Sequence, residues 1–242
     1  MELSERQTKI LKAIIEKYMD TAEPVGSHTL ERESEFGVSP ATLRNEMARL
    51  EELGFLTHPH TSAGRIPTTM GTKYYINELM KEKALSVADE VRVKERVWDY
   101  RFETDKLLRE ATRSLAAQTR TLAVATTNEG DLYYSGAANI LDMPEFYNID
   151  LTRTVLALLD RQDFLCEILS KAVGEEDIHI LIGEDLGSPY LSQCSLVFSD
   201  YSLGKKYTGQ LGVIGPYRLH YPTVIPVVRY VSGLLEELTR TW

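Results

Sequence analysis

SPATLRNEMARLEELGFLTHPHTSAGRIPTTMGTK, residues 39–73, is the stretch whose reading decides the amino-terminal fold. Ser39 can accept an amide hydrogen bond as N-cap, Pro40 suits the first helical position and Gly54 supplies a left-handed stop, which brackets a helix over residues 40–53. Leu43, Met47 and Leu50 recur at i, i+4 and i+7, so Ala41, Asn45 and Ala48 point outward with Thr42, Arg44 and Arg49 on the flanks. That outward face is small, polar and basic. A surface entering a major groove needs such side chains, because Arg and Asn make bidentate contacts to guanine and adenine edges while Ala and Thr permit close approach. After Gly54 the chain is short and extended at residues 55–57. His58-Pro59-His60-Thr61-Ser62-Ala63-Gly64 then precedes Arg65, which predicts a hairpin whose tip offers hydroxyls, a glycine and a cation to phosphate or the minor groove. Upstream, Ile10, Leu11, Ile14, Ile15 and Tyr18 outline an amphipathic first helix, and Ser27 can cap a second that ends before Gly37. Three helices and a wing predict a winged helix-turn-helix over residues 1–84. Its candidate DNA-contacting residues are Ser39, Thr42, Arg44, Asn45, Arg49, His60, Thr61, Ser62, Arg65 and Lys73.

The run from Ser39 through GRIPT, followed by GTKYYINEL, closely resembles the DNA-binding domain of the heat-inducible transcription repressor family HrcA. Two further stretches, GAANILDMPEF at 136–146 and GQLGVIGPYRLHY at 209–221, are similar to that family's carboxy-terminal GAF-like domain. Thr72, Lys73, Tyr217 and His220 depart from the family's usual residues. The resemblance implies a repressor that binds an inverted-repeat operator upstream of chaperone genes as a homodimer. It also implies that a GroEL-type chaperonin keeps the repressor folded and that heat releases it. Family members usually carry an inserted dimerising domain ahead of the second motif. Only the short segment at 122–135 occupies that place here, so the insert is expected to be missing.

With 242 residues and a hydrophobic fraction of 43%, the chain is long enough for two modest domains with real cores. The net charge of −9 runs against nonspecific attraction to DNA. Its distribution matters more: residues 1–84 hold 11 Lys and Arg against 13 Asp and Glu, and no acid occurs in 58–75. A local basic face on an acidic body predicts weak nonspecific binding and reliance on direct readout by a dimer. Cys166 and Cys194 lack metal spacing and secretory context, so both read as buried small hydrophobes in a reduced cytoplasmic protein. No apolar run reaches membrane-spanning length and no signal-peptide pattern opens the chain.

Residues 85–120 are charged and free of glycine and proline. They are apolar at Val87, Val91, Trp98 and Phe102 and then at Leu108, Ala111 and Leu115, which predicts one long linker helix whose seam shifts near Asp105. That seam suits either packing within the chain or a coiled-coil-like dimer contact. Residues 121–242 form the GAF-like domain. Strands are expected at 122–126, 132–134, 178–182, 195–199 and 211–214, and helices at 144–159, 164–173 and 221–239, the last tolerating Pro222 and Pro226 only in or near its first turn. Strands in sequence with helices on one face mean an α+β class.

Rival chemistries find little support. His58 and His60 have no third ligand at metal spacing, and the glycines of 209–215 interrupt a strand instead of opening a helix after one, so neither a metal nor a nucleotide loop is read there. Glu175, Glu176 and Asp177 lie in a polar turn, and no activated nucleophile is apparent, so no enzyme and no cofactor are expected. Asn139, Glu145, Arg218 and Tyr221 either line a GAF-type pocket or form a buried structural network. The pocket version gives the alternative reading, a winged-helix regulator whose GAF-like domain senses a small molecule.

Overall fold

The computed structural model describes residues 3–33, 36–60, 63–172 and 176–240. It divides the chain into two compact units, Met1–Lys81 and Glu82–Trp242.

In the first unit, α1 (Glu5–Thr21) starts with a reciprocal cap between Ser4 and Gln7 and buries Ile10, Leu11, Ile14, Ile15 and Met19. Met19 takes the core place expected of Tyr18, which stays half-buried. The next helix, α2 (Ser27–Glu33), has Ser27 as its first helical residue instead of its cap, with Gly26 oxygen receiving the amides of Thr29 and Leu30. Ser39 caps α3 (Pro40–Glu52) by accepting from the Thr42 amide, Pro40 opens the helix, and Leu43, Met47 and Leu50 are its buried face. Gly54 then turns the chain at φ +82°. Strands β1 (Leu56–Thr57) and β2 (Ile66–Pro67) pair antiparallel, Leu56 with Pro67 and Thr57 with Ile66. A third piece joins them, because Arg65 exchanges both main-chain hydrogen bonds with Val25, just ahead of α2. Thr68 caps α4 (Thr69–Tyr74) and donates its hydroxyl to Gly54 oxygen. Gly71 is required there, since a Cβ would stand 2.1 Å from the Phe55 carbonyl oxygen.

The second unit is α+β. Its five strands are β3 (Leu122–Thr126), β4 (Leu132–Ser135), β5 (His179–Ile182), β6 (Cys194–Leu203) and β7 (Tyr207–Pro216), ordered β4-β3-β7-β6-β5 and antiparallel throughout. Helices cover both faces of the sheet, not one as expected. On one side α6 (Thr104–Thr119) lies over β3 and β4 and α9 (Tyr221–Thr239) lies over β6. On the other, Leu122, Val124, Leu196, Phe198 and Ile214 join Val155 and Leu158 of α7 (Ile149–Asp160) and Leu165 and Ile168 of α8 (Gln162–Leu169) in one core. Alternate strand residues therefore meet different helices.

The single linker helix expected over 85–120 is two helices, and both belong to the second unit. A break at 99–103 separates α5 (Val87–Trp98) from α6, and Asp89 near the start of α5 accepts from Gln118 near the end of α6, so the pair folds back antiparallel. Folding back packs α5 on α6 and takes Val93 and Val97, which are fully buried, out of water. The helix expected over 144–159 is likewise interrupted: a 3₁₀ turn at Pro144–Tyr147 precedes Asn148, whose side chain caps α7. The next helix, expected over 164–173, starts two residues earlier and stops at Leu169, where Ser170 caps it and a turn follows at Ser170 and Lys171; Val173 itself lies outside the described residues. In α9, Pro226 is buried in the second turn and lacks the amide that would bond Pro222 oxygen; the Lys83 amide takes that carbonyl at 2.7 Å.

Candidate nucleic-acid interface

The outward face of α3 is set by the burial of Leu43, Met47 and Leu50, which leaves Ala41, Arg44, Asn45 and Arg49 exposed and Thr42 and Ala48 half-covered. Ser39 and Thr42 are joined hydroxyl to hydroxyl at 3.1 Å at the helix start, so both serve the cap. Arg49 is bound to Glu52 at 2.7 Å. The acid Glu46 is turned away from this face, toward Arg6 and Gln7 of α1. The first turn and a half of α3 is therefore free of acid.

Arg44 and Arg65 come together. They line one groove of about 370 Å³ between α2, α3 and the end of the hairpin, with His28 of α2 and the small residues Gly26, Ser27 and Gly64. Gly64 is forced by geometry, since a Cβ there would meet the Val25 main chain at 2.5 Å. His28 was not among the expected site residues; nothing in the local pattern of α2 marks it, and only the closure of Arg65 onto Val25 brings it near.

Arg65 is not at a loose hairpin tip. Its main chain is pinned to Val25, and its Nε lies 2.7 Å from Glu51 Oε2, with Glu51 also paired to His58. One carboxylate thus holds the Arg65 guanidinium and the His58 ring at the base of the hairpin. His60 stands exposed in the loop, with its carbonyl accepting from Ala63. Thr61 and Ser62 lie outside the described residues. Lys73 is on α4, half-buried and beyond the hairpin, so the hairpin does not carry it.

The sequence model of the HrcA protein C-terminal domain matches residues 71–225, well over half of the chain. The chain belongs to the HrcA family. Among curated HrcA relatives, the heat-inducible transcription repressor of Symbiobacterium thermophilum is 29% identical over 98% of this chain and 99% of its own. The repressor of the same name from Desulforudis audaxviator is 30% identical over 99% and 100%. The first of these alignments is 338 positions long against 242 residues here, so many positions of that HrcA relative have no counterpart in this chain. A solved structure titled as a hypothetical protein shares the fold, with TM-score 0.77 at 20% identity over 99% of each chain.

The residues that carry the HrcA-like motifs of the second unit are engaged with one another and with the main chain. Arg218 clasps Glu145 through Nε at 2.6 Å and Nη2 at 3.2 Å, both side chains largely buried. Asn139 donates to Thr121 oxygen at 3.0 Å, and Gly136 approaches the same carbonyl so closely that a Cβ would lie 2.4 Å from it. The fully buried Tyr221 hydroxyl donates to Tyr217 oxygen at 2.7 Å and lies 3.1 Å from Ser195 Oγ; burial raises its pKa far above the usual phenol range. Of the two readings open for this set, the geometry is that of a buried structural network. Among the described residues no cluster of three His, Cys, Asp or Glu side chains is placed for a metal ion, and no helix is long and apolar enough to cross a membrane.

Proposed function

We propose that this chain is a DNA-binding transcriptional repressor of heat-shock genes, with residues 1–84 acting as a winged helix-turn-helix and the second unit as a GAF-like regulatory body. The carrying observation is the acid-free first turn and a half of α3, where Arg44 and Asn45 stand exposed beside the groove that Arg65 shares. In this reading α3 enters the major groove, Asn45 and Arg44 read base edges, and Arg49, Arg65, His60, Thr61, Ser62 and Lys73 contact phosphate or the minor groove. The β1–β2 hairpin is the wing. The family's naming as heat-inducible repressors supports the regulated genes, and a cytoplasmic site of action follows from them.

An inverted-repeat operator calls for two copies in register. Release on heating follows if the active fold depends on a GroEL-type chaperonin: unfolded clients occupy the chaperonin, and the population of assisted repressor falls. The small-molecule alternative loses its best support, because Asn139 and Arg218 are spent on the fold. Selection of duplexes from a random pool by the purified protein tests the reading. An enriched inverted repeat is the expected result; no enrichment over bulk DNA would refute it.

A further inference from the structure

Four large apolar side chains stand on the outside of the second unit in one short segment. Val87 is 76% exposed, Val91 49%, Trp98 44% and Phe102 72%. Val87, Val91 and Trp98 follow one another at four and seven residues, so they form a single stripe along α5, on the side away from the buried Val93 and Val97. The Arg101 guanidinium lies 4.6 Å from the ring centres of both Trp98 and Phe102, which holds the two rings as one pre-ordered cluster. Trp and Arg held in this way are the side chains that concentrate binding energy at the centre of protein interfaces.

The stripe is also self-complementary. Val87 lies as far before the midpoint between Lys94 and Glu95 as Phe102 lies after it, and Val91 and Trp98 are related in the same way. Two α5 helices packed antiparallel about a two-fold axis at that midpoint would bring Trp98 of each copy level with Val91 of the other, with Phe102, in the turn that follows α5, at the edge of the contact. Charges follow the same symmetry. Arg92, Glu95 and Asp99 lie on one flank, and in an antiparallel isologous pair each flank meets itself. Arg92 then comes level with Val97 of the second copy, between that copy's Glu95 and Asp99. Lys94, closest to the axis, is already drawn to Glu237 of its own α9 at 3.0 Å, which relieves repulsion from its twin.

We propose that the exposed face of α5 and the turn that follows it, with Trp98 and Phe102 as anchors, is the surface on which a second copy of this chain docks antiparallel. This deepens the two-copy reading of the proposed function. Sedimentation of the full chain without DNA, over a range of micromolar concentrations, tests it. The expected result is a monomer–dimer equilibrium. Trp98→Glu with Phe102→Glu should raise the dimer dissociation constant by at least about a hundredfold with an unchanged circular dichroism spectrum, since both rings are exposed. Arg92→Glu should weaken the dimer about tenfold, and adding Glu95→Arg should recover most of that loss. A monomer at every concentration would overturn the proposal, as would a Trp98→Glu, Phe102→Glu chain that dimerises like the parent. Loss of the dimer only on Tyr147→Glu with Ile149→Glu, two exposed apolar side chains at the start of α7, would overturn it too. A dimer that selects no duplex would instead sink the repressor reading and leave this surface standing.

Discussion

Glu51→Ala should weaken the first unit and strengthen its hold on random DNA at the same time. Glu51 lies 2.7 Å from Arg65 Nε and also pairs with His58, and the Glu51 and Arg65 side chains are only 25% and 21% exposed. At about 4 Å and an effective dielectric of about 20, the gross attraction of such a pair is about 4 kcal/mol. Ordering and desolvation cancel most of it, leaving about 1–2 kcal/mol at this degree of solvent contact. For a unit of this size each kcal/mol moves the midpoint about 4–8 °C, so its melting transition should fall by roughly 5–15 °C. The same substitution deletes a negative charge beside the proposed wing and frees Arg65, so the affinity for random duplex should rise and its log-log salt slope should steepen by about one. Differential scanning calorimetry of the full chain reads the first effect and fluorescence anisotropy at several salt concentrations reads the second. An unmoved transition would show that the pair does not hold the hairpin. Unchanged or weaker binding to random duplex would place Glu51 away from the DNA.

Asn45→Ala should cost about 1–3 kcal/mol on the selected operator and much less on random duplex; equal losses on both would remove Asn45 from base reading. Gly233 lies exposed inside α9 with no atom within 4 Å of an added Cβ, so Gly233→Ala should stabilise the second unit by about 0.5–1 kcal/mol in urea unfolding. Lower stability would mean that something else requires glycine there. Glu145→Ala strands the largely buried Arg218 and should cost about 3–5 kcal/mol in the same assay, with Glu145→Gln losing less. Burial pushes the Cys194 thiol up to about 12, so in the native protein at pH 8 it should resist alkylation as followed by mass spectrometry. Rapid labelling would mean that the start of β6 opens.

Helix α3, its cap and its outward face were legible because everything that sets them lies within the helix and one residue to either side. β3 and α9 were legible for the same reason. What closes over a distance was not. The pairing of Arg65 with Glu51 and Val25 depends on how the hairpin folds back, and neighbouring sequence carries no trace of it. The break between α5 and α6 contains neither glycine nor proline; the only local sign is the seam shift near Asp105. Strands β6 and β7 run past their apolar cores because main-chain pairing continues through the polar residues Asp200, Ser202 and Thr208. Helices on both faces were hidden because β3 is buried throughout, which erases the alternation that betrays a one-sided sheet.

The sheet order also sets a waiting time. Leu122 on β3 pairs with Ile214 on β7, about 90 residues later, and β4 joins the sheet only through β3, so the middle of the sheet cannot close until nearly the whole unit exists. At a synthesis rate of about 5–20 residues per second, that interval is on the order of 5–20 s. For those seconds β3 has only β4 beside it and its other edge is bare, and the side chains of α7 and α8 that will cover Leu122 and Val124 have only half a floor to pack on. A chain that emerges in this order spends a long interval sticky and unfinished, and the supply of a sheltering partner during that interval would decide how much finished protein reaches DNA.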